Sequence, residues 1–137
     1  MRQMPTMIHQ MHPFPWAVEV SITPEEALAE MDKHAIHHLP VKQGNQVIGL
    51  VSALQLTAPP SDPQSAESLA PYCREGTPMF QTYDTLDKVL GQMIAHNQDA
   101  VLIMKEQKLA GIYTGHDAIT HLHKLLNELY PQGDDAA

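Results

Sequence analysis

Apolar positions recur along the chain with two different periods, and the order in which the periods alternate runs through twice. Ala27, Leu28, Met31 and Ala35 fall at helical spacing behind Thr23-Pro24-Glu25-Glu26. Threonine is a good N-cap, proline suits the first helical position, and a glutamate three residues on completes a capping box, so a helix is predicted to open there. Leu39-Pro40-Val41, then Gln43-Gly44-Asn45, then Val47-Ile48-Gly49-Leu50-Val51 read as a β-hairpin around a glycine turn, with a short helix after Ser52. The second pass begins with Asp84 or Thr85 as the cap of a helix carrying Leu86, Val89, Leu90, Met93 and Ile94. A strand from Ala100 to Met104 turns through Lys105-Glu106-Gln107-Lys108 into Leu109 to Tyr113. The last helix follows Thr114, carries Ala118, Ile119, Leu122, Leu125, Leu126 and Leu129, and stops at Pro131, Gly133 and Asp134. Between the passes, Ala58-Pro59-Pro60-Ser61-Asp62-Pro63-Gln64-Ser65 suits neither helix nor sheet and reads as a linker.

The two passes are copies of one unit. Gly49-Leu50-Val51-Ser52 matches Gly111-Ile112-Tyr113-Thr114 at an offset of 62 residues, from 49 to 111. The same offset aligns Thr23 with Thr85, Leu28 with Leu90, Met31 with Met93, Val41 with Ile103 and Val47 with Leu109. Two copies are too few for a solenoid, so they are expected to pack against each other. The division is residues 1–60 for the first repeat, 61–66 for the linker, 67–125 for the second repeat and 126–137 for the end of the last helix and the tail.

Composition narrows the function. With 43% hydrophobic and 18% charged residues, the 137-residue chain is too apolar for disorder and long enough for one shared core. Its longest aliphatic run, Ala100 to Met104, is far below what a membrane helix needs, and no apolar stretch follows the N-terminus as in a secretory signal. A lone Cys73 makes no intrachain disulfide, so a cytoplasmic location is the default expectation. The net charge of −8, with scattered lysines and arginines, argues against nucleic acid or anionic membrane as partners.

A helix, a hairpin ending in Gly-x-x-Ser/Thr and a further helix, repeated at this spacing, resembles the tandem pair of CBS (cystathionine-β-synthase) domains. His34-Ala35-Ile36-His37-His38-Leu39-Pro40-Val41 is similar to that family's stretch before the hairpin, and Met11-His12-Pro13-Phe14-Pro15 to its opening element. The resemblance covers residues 5 to 125. It implies an α/β fold of two β-α-β-β-α repeats about a pseudo-two-fold axis, with two clefts between them. It also implies adenosine ligands (AMP, ADP, ATP, S-adenosylmethionine or NAD) and a homodimer of pairs.

The family's ligand motif, Gly-x-x-Thr-x-x-Asp, stands complete at Gly111-Ile112-Tyr113-Thr114-Gly115-His116-Asp117. An aspartate can accept hydrogen bonds from both ribose hydroxyls, a threonine hydroxyl can hold a phosphate, and glycine admits a close backbone approach. The first repeat has Gln55 where the carboxylate should be, so one competent cleft is expected, on the second repeat. Thr114-x-x-Asp117 and Ser52-x-x-Gln55 read equally well as capping boxes, which need no ligand. The resemblance further implies that Thr77, Pro78 and Met79, with Phe80, line the adenine and that Ala100 and Val101 face it; ordinary core packing explains them as readily. Arg74 reads as a phosphate contact or as a solvated surface residue.

Nine histidines raise a metal reading that the spacing does not support. His37 and His38 are adjacent and point to opposite sides of a strand, His34 and His37 straddle a helix end, and His121 and His123 diverge around a helix. No Cys-x-x-Cys, no His-x-x-x-His on one helix, and no nucleophile elbow or Walker lysine is present, so neither a metal centre nor an enzyme is expected. Cys73, aligned with Met11, reads as a half-buried structural thiol. The leading expectation is a regulatory sensor of an adenosine ligand that signals to an unidentified effector protein. The alternative is a ligand-free interaction or oligomerisation module. The acidity favours AMP, S-adenosylmethionine or NAD over ATP, because a triphosphate wants more positive charge.

Overall fold

A computed structural model describes residues 3–13, 15–58, 67–73 and 77–131. Residues 59–65 of the linker, Phe14, Arg74, and Gly133 and Asp134 of the expected stop lie outside the described residues.

Helix α1 (Pro24–His34) opens where the sequence predicts, with the Thr23 side chain accepting from the Glu26 N–H. The capping box is incomplete: the Glu26 carboxylate takes its bond from the Thr23 hydroxyl and not from the Thr23 backbone. Ala35, expected inside the helix, ends it in the left-handed conformation at φ 53°. Strands β1 (His12–Pro13), β2 (Val18–Glu19), β3 (His38–Gln43) and β4 (Gln46–Ser52) and helix α2 (Ala53–Thr57) complete the first half. In the second half, β5 (Met79–Gln81) precedes α3 (Leu86–Ala95), β6 (Ala100–Lys105), β7 (Lys108–Thr114) and α4 (Gly115–Leu129). Of the two residues expected to cap α3, Thr85 takes the N-cap position without a side-chain bond to the helix. Asp84 instead accepts from the Gln81 N–H.

The halves repeat one another at the same 62-residue offset down to their irregularities. A three-stranded sheet orders β2-β3-β4, and a second sheet repeats it as β5-β6-β7 with β1 added beyond β7. In each, a parallel pair precedes an antiparallel hairpin. The hairpin registers shift between Val41 and Lys42 and again between Ile103 and Met104, at equivalent positions. β4 and β7 share one alternation of buried and half-buried positions. Of the positive-φ residues, Ala35 corresponds to Asn97 and Gly44 to Glu106, while Gln107 has no positive-φ counterpart at Asn45.

Each half lends its leading segment to the other. Met7, wholly buried, belongs to the core that Val89, Met93, Val101, Ile103 and Tyr113 form in the second half. Its N–H donates to the Asp84 carbonyl, and β1 pairs with β7. At the equivalent place, Leu69 is buried in the first-half core with Ala27, Met31, Leu39, Val41, Val51 and Leu56. The glycines that open the two hairpin-end motifs sit where these arms cross. A Cβ on Gly111 would collide with Met11 and with the His12 carbonyl; one on Gly49 would come within 2.7 Å of the Cys73 sulfur. Gly111 therefore serves the packing of the chain's own arm. Cys73 is a half-buried thiol, and burial pushes its pKa up.

Candidate functional site

Two of the clefts among the described residues join the start of a hairpin-end helix in one half to residues of the other. One, of about 590 Å³, joins Ser52 and Gln55 at the start of α2 to Thr77 and Pro78 ahead of β5 and to Asn97–Ala100 ahead of β6. The other, of about 450 Å³, joins Thr114, His116 and Asp117 at the start of α4 to Pro15 and Trp16 ahead of β2 and to His34–His38 ahead of β3. The 62-residue offset carries one lining onto the other: Thr77 onto Pro15, Asn97 onto Ala35, Gln55 onto Asp117.

This interleaving separates the eight residues singled out in the sequence. Thr114 and Asp117 line the smaller cleft, whereas Thr77, Pro78 and Ala100 line the larger one. The others line neither: Gly111 packs under the arm, Val101 is fully buried in the second-half core, and the Met79 side chain is exposed. The residues that meet Thr114 and Asp117 are instead His12, Pro15, Trp16, Ile36, His37 and Ile112. Sequence reading missed them because it sought a site within one repeat. The repeat offset, combined with a cross-packing of halves, was the signal that could have found them.

At the centre of the smaller cleft is the Asp117 carboxylate, 7% exposed. One oxygen accepts from the Thr114 N–H at 2.8 Å and from its hydroxyl at 3.0 Å, while the Thr114 hydroxyl accepts from the Asp117 N–H at 3.3 Å. This is a complete capping box for α4. The other oxygen meets His12 Nε2 at 2.6 Å. The wall opposite is apolar and aromatic: Trp16 stacks on His34 with ring centroids 4.1 Å apart, and its indole N–H donates to Glu30. Tyr113, four residues before Asp117 and buried in the second-half core, pairs its hydroxyl with His121 Nδ1. Burial first, and the Asp117 charge second, push the Tyr113 pKa up to about 12.

In the larger cleft the cap is Gln55, whose amide oxygen accepts from the Ser52 N–H at 2.9 Å while the Ser52 hydroxyl accepts from the Gln55 N–H. The nearest carboxylate is Asp99, on an exposed side chain 3.6 Å from His38 Nε2. His38 lines both clefts. Its Nε2 is buried with no hydrogen-bond partner, and burial lowers its pKa despite the opposing pull of Asp99. Among the described residues no three histidine, cysteine or acidic side chains converge as a metal-binding group.

Residues 7–58 match the family model of the CBS domain. Among curated protein sequences none is a significant match. Solved structures share the fold over nearly the whole chain. A protein described as an acetoin utilization protein (AcuB) from Vibrio cholerae superimposes with a TM-score of 0.78 at 22% identity, covering 91% of this chain and 95% of that one. The CBS domain pair of protein MJ0100, solved in complex with 5′-methylthioadenosine and S-adenosyl-L-methionine, gives 0.76 at 18% identity over 89% and 98%. The CBS domain of a bacterial CNNM/CorC family Mg²⁺ transporter in complex with ATP gives 0.72 at 18% identity, over 84% of each chain. Residues 7–58 are thus similar to a CBS domain, and over both repeats the chain has the fold of a CBS domain pair.

Proposed function

We propose that the protein is a regulatory adenosine-ligand sensor, of the AMP, ATP, S-adenosylmethionine or NAD class, and not an enzyme. The observation that carries this reading is Asp117: a nearly buried carboxylate lining a mostly apolar cleft of about 450 Å³ together with Trp16, Ile36 and Ile112. Asp117 would accept from the ribose hydroxyls, Thr114 would hold the 5′ substituent, and Trp16 and Ile36 would flank the base. The ligands bound by the solved MJ0100 pair and by the transporter domain support the ligand class. Because the cleft joins both halves, a ligand there shifts their relative geometry by as much as it prefers one arrangement. The output is contact with an effector protein or a second copy. The exposed row Leu122, Leu125, Leu126 and Leu129 on α4 is suited to a homodimer.

One observation favours the second reading, a ligand-free interaction module. His12 already occupies the Asp117 oxygen that the cap leaves free, so the carboxylate is satisfied without a ligand.

The test is the melting temperature with AMP, ADP, ATP, S-adenosylmethionine and NAD, for the native protein and for Asp117→Asn and Asp117→Ala. A ligand at ~100-fold its dissociation constant adds about 2.7 kcal/mol to the folded state. The expected outcome is a rise with one ligand, reduced in Asp117→Asn, which keeps a cap acceptor, and lost in Asp117→Ala. Light scattering on the same samples reads the dimer. No rise with any compound moves the assignment to the interaction module.

A further inference from the structure

The smaller cleft has an unusual charge inventory. Five histidines line it (His12, His34, His37, His38 and His116), and no lysine or arginine does among the described residues. Its one fixed charge is the Asp117 carboxylate, in a chain of net charge −8. At neutral pH such a cleft repels an anion and accepts an uncharged or cationic compound, because a phosphate taken out of water needs a compensating charge.

The histidines differ in what already holds them. His12 meets Asp117 at 2.6 Å, His34 meets Glu30 at 3.3 Å, and His38 lies 3.6 Å from Asp99. His37 and His116 are exposed at the cleft, one on each half, and have no carboxylate within ion-pairing distance among the described residues. Among the described residues, the other titratable groups that line the cleft or pair with its lining are Asp117 and His12 on the α4 side, and Glu30, His34, His38 and Asp99 on the other. The five imidazoles do not converge on a point that would suit a metal.

Resting on the adenosine reading above, we propose that this cleft selects its ligand by the charge at the 5′ end. It takes an uncharged or cationic adenosine compound at neutral pH and an anionic one only when His37 and His116 take up protons. A protonated histidine here does what lysine or arginine does in a nucleotide site.

Calorimetric titration of the full chain with adenosine and with adenosine 5′-sulfate tests this, since the sulfate ester keeps one negative charge throughout. At about pH 7.5 adenosine is expected to bind ~10-fold more tightly, and at about pH 6 the gap is expected to close by about the same factor, as one or two nearby unit charges would produce. Taking the ratio cancels any effect of His12 protonation on ribose binding, which both ligands share. A His37→Gln/His116→Gln variant is expected to keep the gap between the two compounds at both pH values, whatever its affinity for adenosine. A ratio that does not change with pH, or a sulfate ester that binds as tightly as adenosine at about pH 7.5, overturns this proposal alone. Failure of both compounds at both pH values overturns it together with the adenosine assignment.

Discussion

His38 sits where the two clefts share a wall, and its environment makes a stability prediction. Burial disfavours the imidazolium, so the folded protein binds a proton there less readily than the unfolded chain. Above the unfolded value, near 6.5, both states are neutral and the residue contributes no pH dependence. As pH falls through that value the unfolded state takes up the proton first, so stability drops. Melting curves from about pH 8 to about pH 5 are expected to show this acid-side loss, and His38→Gln is expected to flatten part of it. An unchanged slope in the variant assigns the loss to other groups. Much of the chemistry of Asp117 was legible at this scale, because Thr-x-x-Asp carries both its readings in four residues. The partnership with His12 and Trp16 was not, since they stand about a hundred residues upstream and only cross-packing brings them to Asp117.

At the scale of elements, the second hairpin turns through Glu106 and Gln107, at φ 51° and 67°. Both are in the left-handed region, which costs residues with a Cβ roughly 1 kcal/mol or more each. The equivalent turn in the first half is Gly44-Asn45, with glycine at φ 64°. Tight hairpin turns with both central residues at positive φ favour Asn-Gly. Glu106→Asn/Gln107→Gly is expected to raise stability by about 1 kcal/mol in denaturant unfolding; a loss would mean that the two side chains contribute something the backbone argument omits. Helices and hairpins were readable from sequence because their periods differ and the repeat showed each of them twice. Strand β1 was not: two residues, His12 and Pro13, carry no period, and they belong to a sheet whose other strands lie far along the chain.

At the scale of the molecule, the arms decide cohesion. Gly111→Ala places a Cβ against Met11 and the His12 carbonyl, whereas Gly91, inside α3, has open space around its missing Cβ. Gly111→Ala is expected to cost about 1–3 kcal/mol by overpacking. Gly91→Ala is expected to be neutral or to add up to about 1 kcal/mol as a helix substitution. Hydrogen exchange locates the damage: faster exchange in β7 and in residues 7–13 marks a displaced arm, and slow exchange there refutes it. The repeat itself was plain in the sequence, from its single offset of 62 residues. The exchange of leading segments was not, because Met7 and Leu69 look alike in either packing.

That exchange has a consequence for what half of the chain can do. A single repeat cut free carries an arm with no sheet to lie on, and a sheet whose edge has lost its cover. Two such halves mixed in solution complete one another, each supplying what the other lacks. The tandem chain is thus a pair of mutual complements tied together by a linker. The tie sets how often they meet, and the crossed arms set how firmly they stay.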